Sequence, residues 1–252
     1  MRIIRIIKGL TIVCLFLVAS AHAFAPPVAL DPQETRQSKG TGRIAGRVRL
    51  AGTFKKPLPL KVHKNRDFCG DQVANESLLT APEGAVQNAV VIIRGLQITK
   101  SRKRLDTISL DNRNCAFVPH VQVVPVGSEI LLLNNDPILH DAHARMGRET
   151  LFNVGLPSWR QVKKRLSREG IVKIECDVLH TWQSAYVVVT SSPYSAVTGK
   201  SGEFVIEQVP AGRYDIDFWH EKLGKQRRRI LVEEERTSKI EAVFSCAFCE
   251  TL

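Results

Sequence analysis

The chain has 252 residues, 44% of them hydrophobic, and its 36 Lys and Arg against 25 Asp and Glu give a formal charge of +11. That length accommodates one large or two modest domains with real cores. The basic balance fits an acidic protein partner, an anionic surface or simply a solubilising exterior, and no nucleic-acid-binding signature accompanies it.

Residues 1–23 read as a secretory signal peptide. Arg2, Arg5 and Lys8 form a basic start, "GLTIVCLFLVAS" is an apolar run short for a bilayer, and Ala21-His22-Ala23 offers a cleavage site near Ala23. An uncleaved anchor is the alternative; Val13 before Cys14 argues against a lipoprotein signal. Without those three cations the mature chain carries about +8 and has no transmembrane segment, and it is expected in the periplasm or outside the cell. Residues 24–41 are Pro-rich and polar without periodicity, so they are read as a disordered leader.

From Gly42 the chain becomes short β-rich runs cut by Gly, Pro, Asn and Asp. The candidates are "RIAGRVRLAG", "LPLKVHK", "AVQNAVVIIRGL", "AFVPHVQVVPVG", "SEILLLNND", "VKKRLSREGIVKIEC", "SAYVVVTS", "GEFVIEQVP", "GRYDIDFWHE" and "RRRILVEEE". Their alternation and spacing predict an all-β sandwich arrangement, with one turn of helix expected in "TLFNVGLPSWRQ". A boundary is placed near Thr190. Beyond it "TGKSGEFVIEQVPAGRYDIDF" has a different grammar, in which Gly residues supply the positive φ of tight turns.

Export governs the cysteines. Of the six, Cys14 leaves with the signal peptide and five remain, so pairing leaves one thiol over. The reading pairs Cys69 with Cys115 and Cys246 with Cys249, the latter in a terminal "CAFC" that lacks the helix a thioredoxin-type thiol needs. Cys176 is then the free thiol, although counting alone does not single it out.

Cys176 ends the strand-like "GIVKIEC", with His180 four residues on and Gln183 three further; His140 follows "LLLNNDPIL" 36 residues earlier. One thiolate, two imidazoles and a weak fourth donor are what an electron-transfer copper site requires. Half of a zinc site, or a buried thiol beside a satisfied histidine, gives the same Cys-x-x-x-His pair. His143 is an alternative ligand, but its odd spacing from His140 turns it elsewhere on a strand. His120 and His220 read as satisfied polar groups in sheets, Met146 lies on the wrong loop, and Trp159 and Trp182 read as packing residues, Trp182 also shielding the site. No Gly-x-Ser-x-Gly, His-Glu-x-x-His or Gly-rich phosphate loop is present, so the chain is not read as an enzyme.

"VPVGSEILLLNNDPILHDAH" with "LSREGIVKIECDVLHTWQSAYVVV" resembles a cupredoxin, the plastocyanin-like fold, over residues 115–190. "TGKSGEFVIEQVPAGRY" is similar to a carboxypeptidase regulatory-like domain over 191–252, and "GRIAGRVRLAG" resembles that family's first strand, so residues 42–114 are expected to be shared with it. The combination resembles exported bacterial proteins that fuse the two modules. The resemblance implies a Greek-key β-sandwich plus a smaller prealbumin-like one, and one type 1 copper ion on His140, Cys176 and His180. Gln183 stands where the family has its axial methionine; a glutamine oxygen serves there in stellacyanin-like members and lowers the reduction potential. The implied function is single-electron transfer to a redox partner protein, and the basic charge of the chain suits an acidic one. The alternatives are copper storage or delivery, and a metal-free module for carbohydrate or protein.

Overall fold

The computed structural model describes residues 40–52, 56–97 and 106–245. The signal peptide and the Cys246–Cys249 pairing lie outside them, as does nearly all of the leader. The first part of the chain holds β1 (Thr41–Leu50), β2 (Leu60–Lys61), α1 (Arg66–Cys69), β3 (Gln72–Val73), β4 (Thr80–Ala81), β5 (Ala85–Val86) and β6 (Val90–Ile93). The middle part holds β7 (Thr107–Arg113), β8 (Ala116–Val118), β9 (Val121–Pro125), β10 (Glu129–Asn134), β11 (His140–Met146), β12 (Glu149–Leu156), β13 (Gln161–Arg165), β14 (Gly170–Glu175) and β15 (Ser184–Thr190). The last part holds β16 (Ser195–Val197), β17 (Glu203–Pro210), β18 (Gly212–His220), β19 (Gly224–Val232) and β20 (Thr237–Phe244).

The expected all-β architecture is observed. Sheets β13-β10-β7-β8 and β12-β11-β14-β15-β9 enclose one core, which includes Leu110, Ile130, Leu132, Val172, Ile174 and Val187. Sheets β17-β1-β5-β4, with β20 also beside β1, and β16-β6-β18-β19 enclose a second core around Ile44, Val91, Ile93, Phe204, Ile216 and Phe218. This second sandwich draws on both ends of the described chain, because β1 lies between β17 (antiparallel) and β20 (parallel). A smaller cluster of Val90, Ile92, Val121 and Val188, with Tyr186 and Trp219 against it, joins the two.

Several local expectations are corrected. "TLFNVGLPSWRQ" contains no helix: β12 covers its first part, and Trp159, read as a packing residue, is 78% exposed in the turn that follows. Of the three turn glycines, Gly202 takes positive φ (73°), and a Cβ there would lie 2.6 Å from the Val48 carbonyl oxygen; Gly199 and Gly212 do not take positive φ. "LPLKVHK" gives only the two-residue β2, which among the described residues pairs with β3 alone.

Strand parity places the candidate site. Leu110 and Asn112 share one face of β7, Leu132 and Asn134 one face of β10, Ala142 and His140 one face of β11. Val172 and Ile174 share a face of β14, and Cys176 continues that row just past the strand's end. Side chains two apart point the same way. Four inward apolar rows therefore run out, at one end of the first core, into Asn112, Asn134, His140 and Cys176, all at most 3% exposed.

Candidate metal centre

His140, Cys176 and His180 offer ligand atoms to one point. Cys176 Sγ lies 3.5 Å from His180 Nδ1 and 4.0 Å from His140 Nδ1, and the two Nδ1 atoms are 3.0 Å apart. The point in their plane equidistant from all three atoms is about 2.1 Å from each, the span of a first-row metal bond to nitrogen or sulfur. Gln183 Oε1 stands 3.0 Å from His140 Nδ1 as a fourth donor, while its Nε2 faces Asn112 Oδ1 at 3.5 Å. Both imidazoles are fully buried, and Gln183 is 3% exposed.

The far edges of the rings decide their protonation. His140 Nε2 faces the Asp136 carboxylate at 3.0 Å, so it carries the proton and donates. His180 Nε2 donates to Asn65 Oδ1 at 2.8 Å. Both Nδ1 atoms are therefore lone-pair donors, turned toward each other, the thiol and an amide oxygen. Four electron-rich atoms converge with a single thiol proton among them, an arrangement that a cation relieves.

The protein's own field keeps the group uncharged. Burial pushes the Cys176 thiol up to about 12, against the pull of backbone N–H groups. Burial, then the neighbouring His140 and Lys64, bring His180 down to about 4. Burial also lowers His140, outweighing Asp136. Neutral imidazoles are ready ligands, and a metal ion that displaces the thiol proton supplies the charge that burial withholds.

The backbone around the donors is held as firmly. Asn134 Nδ2 donates to the carbonyls of Ile138 and Leu156, at 2.8 and 2.7 Å, which fixes the turn leading into His140. Asp136 accepts from the backbone N–H groups of Asn114 and Cys115 as well as from His140. The Asp141 N–H points to Cys176 Sγ at 3.5 Å, and the Asp141 carboxylate accepts from the Asp177 N–H. The Trp182 ring packs 5.0 Å from that of His180, and its indole N–H donates to the Cys115 carbonyl.

The structure brings His140, Cys176, His180 and Gln183 together and leaves His143 out. Three positions along β11, His143 points to the other face, where Asp177 and Thr150 take its ring nitrogens at 2.5 and 2.8 Å. His120 sits between the Ser184 carbonyl and Glu221, and His220 is buried at the end of β18. Cys69 and Cys115 form a disulfide with a Cα–Cα distance of 5.7 Å, and Cys176 is a free thiol. Cys115 also lies near Asp136 and His140, but its sulfur is committed to that disulfide. Sequence reasoning missed Asn65, Asn112 and Asp136. The "NND" before His140 contained a signal for Asp136; nothing in the sequence tied Asn65 to His180.

No protein-family model matches the sequence, and no curated protein matches it. Among solved structures, the chain is similar to a purple cupredoxin from Nitrosopumilus maritimus, at 22% identity over 33% of this chain and 99% of that one, with a TM-score of 0.30. It is similar to a reduced-state amicyanin variant at 16% identity, over 40% and 98% of the two chains, with a TM-score of 0.31. It is also similar to a copper-containing nitrite reductase from Thermus scotoductus SA-01, at 19% identity and a TM-score of 0.31, covering 37% of this chain and 25% of that one.

Proposed function

We propose that this chain is an exported, single-copper electron carrier rather than an enzyme. His140, Cys176 and His180 would hold the ion as three strong donors, with Gln183 Oε1 as a weaker fourth. The observation that carries the reading is the pair of locked imidazoles, whose Nδ1 atoms sit 3.0 Å apart and face the Cys176 sulfur. One thiolate, two imidazoles and an amide oxygen match copper's preference for a soft trigonal set with a weak axial partner. Bound copper would supply the one-electron couple; the chain's part is to hold the donors still, through Asp136, Asn65 and the strand ends, so that little moves between oxidation states. The second sandwich is assigned a stabilising or docking role, and the basic chain an acidic redox partner. No helix among the described residues is long and apolar enough to cross a membrane.

The test is to load the purified protein with Cu(II) and record its visible spectrum. A strong thiolate-to-copper band in the red, lost in Cys176→Ala, supports the proposal. A colourless protein that takes up no stoichiometric copper overturns it, and stoichiometric zinc without copper would reassign the site. Copper holding and handover is the second reading, favoured by the cover over the outer edge of His180. Reversible voltammetry compared with copper release to a chelator separates the two.

A further inference from the structure

Residues 60–73 belong to neither sandwich. Among the described residues β2 and β3 pair only with each other, and the Val62 N–H to Asp71 carbonyl bond at 3.0 Å closes the loop between them. Within the loop, Asn65 adopts the left-handed conformation (φ 56°, ψ 38°), which asparagine tolerates better than most residues. Its main-chain carbonyl accepts from the N–H groups of Phe68 and Cys69, at 3.1 and 2.9 Å. Its side chain is thereby aimed across the chain at His180 Nε2.

Among the described residues, few attachments hold this segment over the site. They are the Cys69–Cys115 disulfide, the Asn65–His180 hydrogen bond, a 3.4 Å contact from Lys64 Nζ to the Val178 carbonyl, and a small apolar cluster. In that cluster Val62, Leu60 and Val73 meet Trp182 and Cys115. Beside it, a pocket of about 240 Å³ has Leu60 and Val73 of this segment and Trp182 and Gln183 of the first sandwich among its lining residues. His180 is nevertheless completely buried and Cys176 is 3% exposed.

On the reading of the site given above, we infer that Asn65 is a positioning residue of the metal centre, carried on a cap that the Cys69–Cys115 disulfide clasps over His180 and Cys176. Asn65 holds the proton on His180 Nε2 and so keeps the Nδ1 lone pair turned inward. The disulfide closes a loop with a sequence separation of 46 and keeps the cap from drifting away when its two polar contacts break. Entry to the donors, and release of whatever they hold, then waits on cap opening, a local event with its own equilibrium.

The deciding experiment needs no metal. The apoprotein is treated with N-ethylmaleimide, labelling of Cys176 is followed by peptide mass mapping, and the tautomer of His180 is read by nitrogen-15 NMR. The Cys69→Ser/Cys115→Ser pair is expected to label at least about tenfold faster than the unaltered protein, the factor set by losing one modest restraint on opening. Asn65→Ala, which keeps the disulfide, should label several-fold faster and give a mixed His180 tautomer; Asn65→Asp, which keeps an acceptor, should restore the single tautomer. Unchanged labelling and an unchanged tautomer in Asn65→Ala overturn the inference, even if the disulfide variant fails to fold. Because these readouts are independent of copper, a protein that passes them yet takes up no copper would refute the electron-carrier reading and leave the cap standing. If copper is bound, its release to a chelator should accelerate in the same order as labelling.

Discussion

Replacing Asp136 by alanine removes one carboxylate and strands three donors. The Asn114 and Cys115 N–H groups, at 2.7 and 2.8 Å, and His140 Nε2–H, at 3.0 Å, all end on it, and it is 3% exposed. Two of the three are main-chain groups of consecutive residues at positive φ (52° and 59°), so they cannot swing to water without rebuilding the turn. The Cys115 and His140 donors are buried and cost about 1–3 kcal/mol each when stranded, while the part-buried Asn114 N–H costs less, so the expected loss is about 2–5 kcal/mol. Against a typical total of about 5–15 kcal/mol this lowers the melting temperature by about 10 °C. The assay is thermal unfolding of metal-free protein followed by tryptophan fluorescence. Asp136→Asn provides the control: its amide oxygen can replace the oxygen that serves Cys115 and His140, while its NH2 faces the Asn114 donor, so about half the loss is expected. A loss under about 1 kcal/mol in Asp136→Ala would refute the reasoning, because it would mean the three donors find other partners. The same variant frees the His140 tautomer, and metal affinity should fall by about 10–100-fold, as measured by competition with a chelator.

Three further outcomes are expected. In copper-loaded protein, Gln183→Met should raise the reduction potential, because a softer axial donor favours Cu(I); no change by voltammetry would remove Gln183 from the axial position. His220 is buried, and burial above all, against the pull of Glu221, takes its pKa from 6.5 to about 4. The unfolded chain binds that proton more readily, so the contribution is complete above pH about 6.5 and declines by on the order of 3 kcal/mol as pH falls toward 4. His220→Gln should flatten this limb of the stability profile in urea titrations, and an unchanged slope would contradict it. For Asp217, burial pushes the carboxyl up, but hydrogen bonds and charge from Arg227 and Lys225 together outweigh it and leave it below its ordinary 3.8. Its contribution is present above that value and disappears as pH falls through the lowered pKa. Asp217→Ala should cost only about 1–2 kcal/mol at neutral pH, less than Asp136→Ala, because its partners Arg94, Lys225 and Arg227 are surface side chains free to turn to water. Equal losses for the two variants in urea unfolding would refute that distinction.

The strands that sequence reasoning found carry compact apolar runs, and those it missed do not, for two reasons. "SEILLLNND" and "GIVKIEC" were visible because residues 130–133 and Ile171, Val172 and Ile174 make short apolar, β-prone runs bounded by polar or turn residues. In "HDAHARM" the inward row of β11 is His140, Ala142 and Ala144, and the outward row contains Asp141 and His143, so no apolar alternation announces a strand. The structure makes His140 the first residue of β11. β7 was hidden for the same reason, since Asp111 and Asn112 are buried at the end of "TISLDN". β12 and β20 are largely exposed strands that the pattern also passed over.

What hid these strands also makes the site. A core that ended in leucine would have shown its strands plainly and offered no ligand. By ending four inward rows in Asn112, Asn134, His140 and Cys176, the sandwich accepts buried polar groups that must be satisfied. The spacing of Cys176, His180 and Gln183 is local and survives in sequence. The partners that orient the rings do not: Asn65 stands 115 residues from His180 and reaches it through a left-handed turn beside a disulfide. Hydrophobic pattern can locate a row and its end, but not which distant carbonyl or carboxylate meets the far edge of a ring. At this site that far edge decides whether Nδ1 faces inward with a lone pair or with a proton, and hence whether the cluster can take a cation at all.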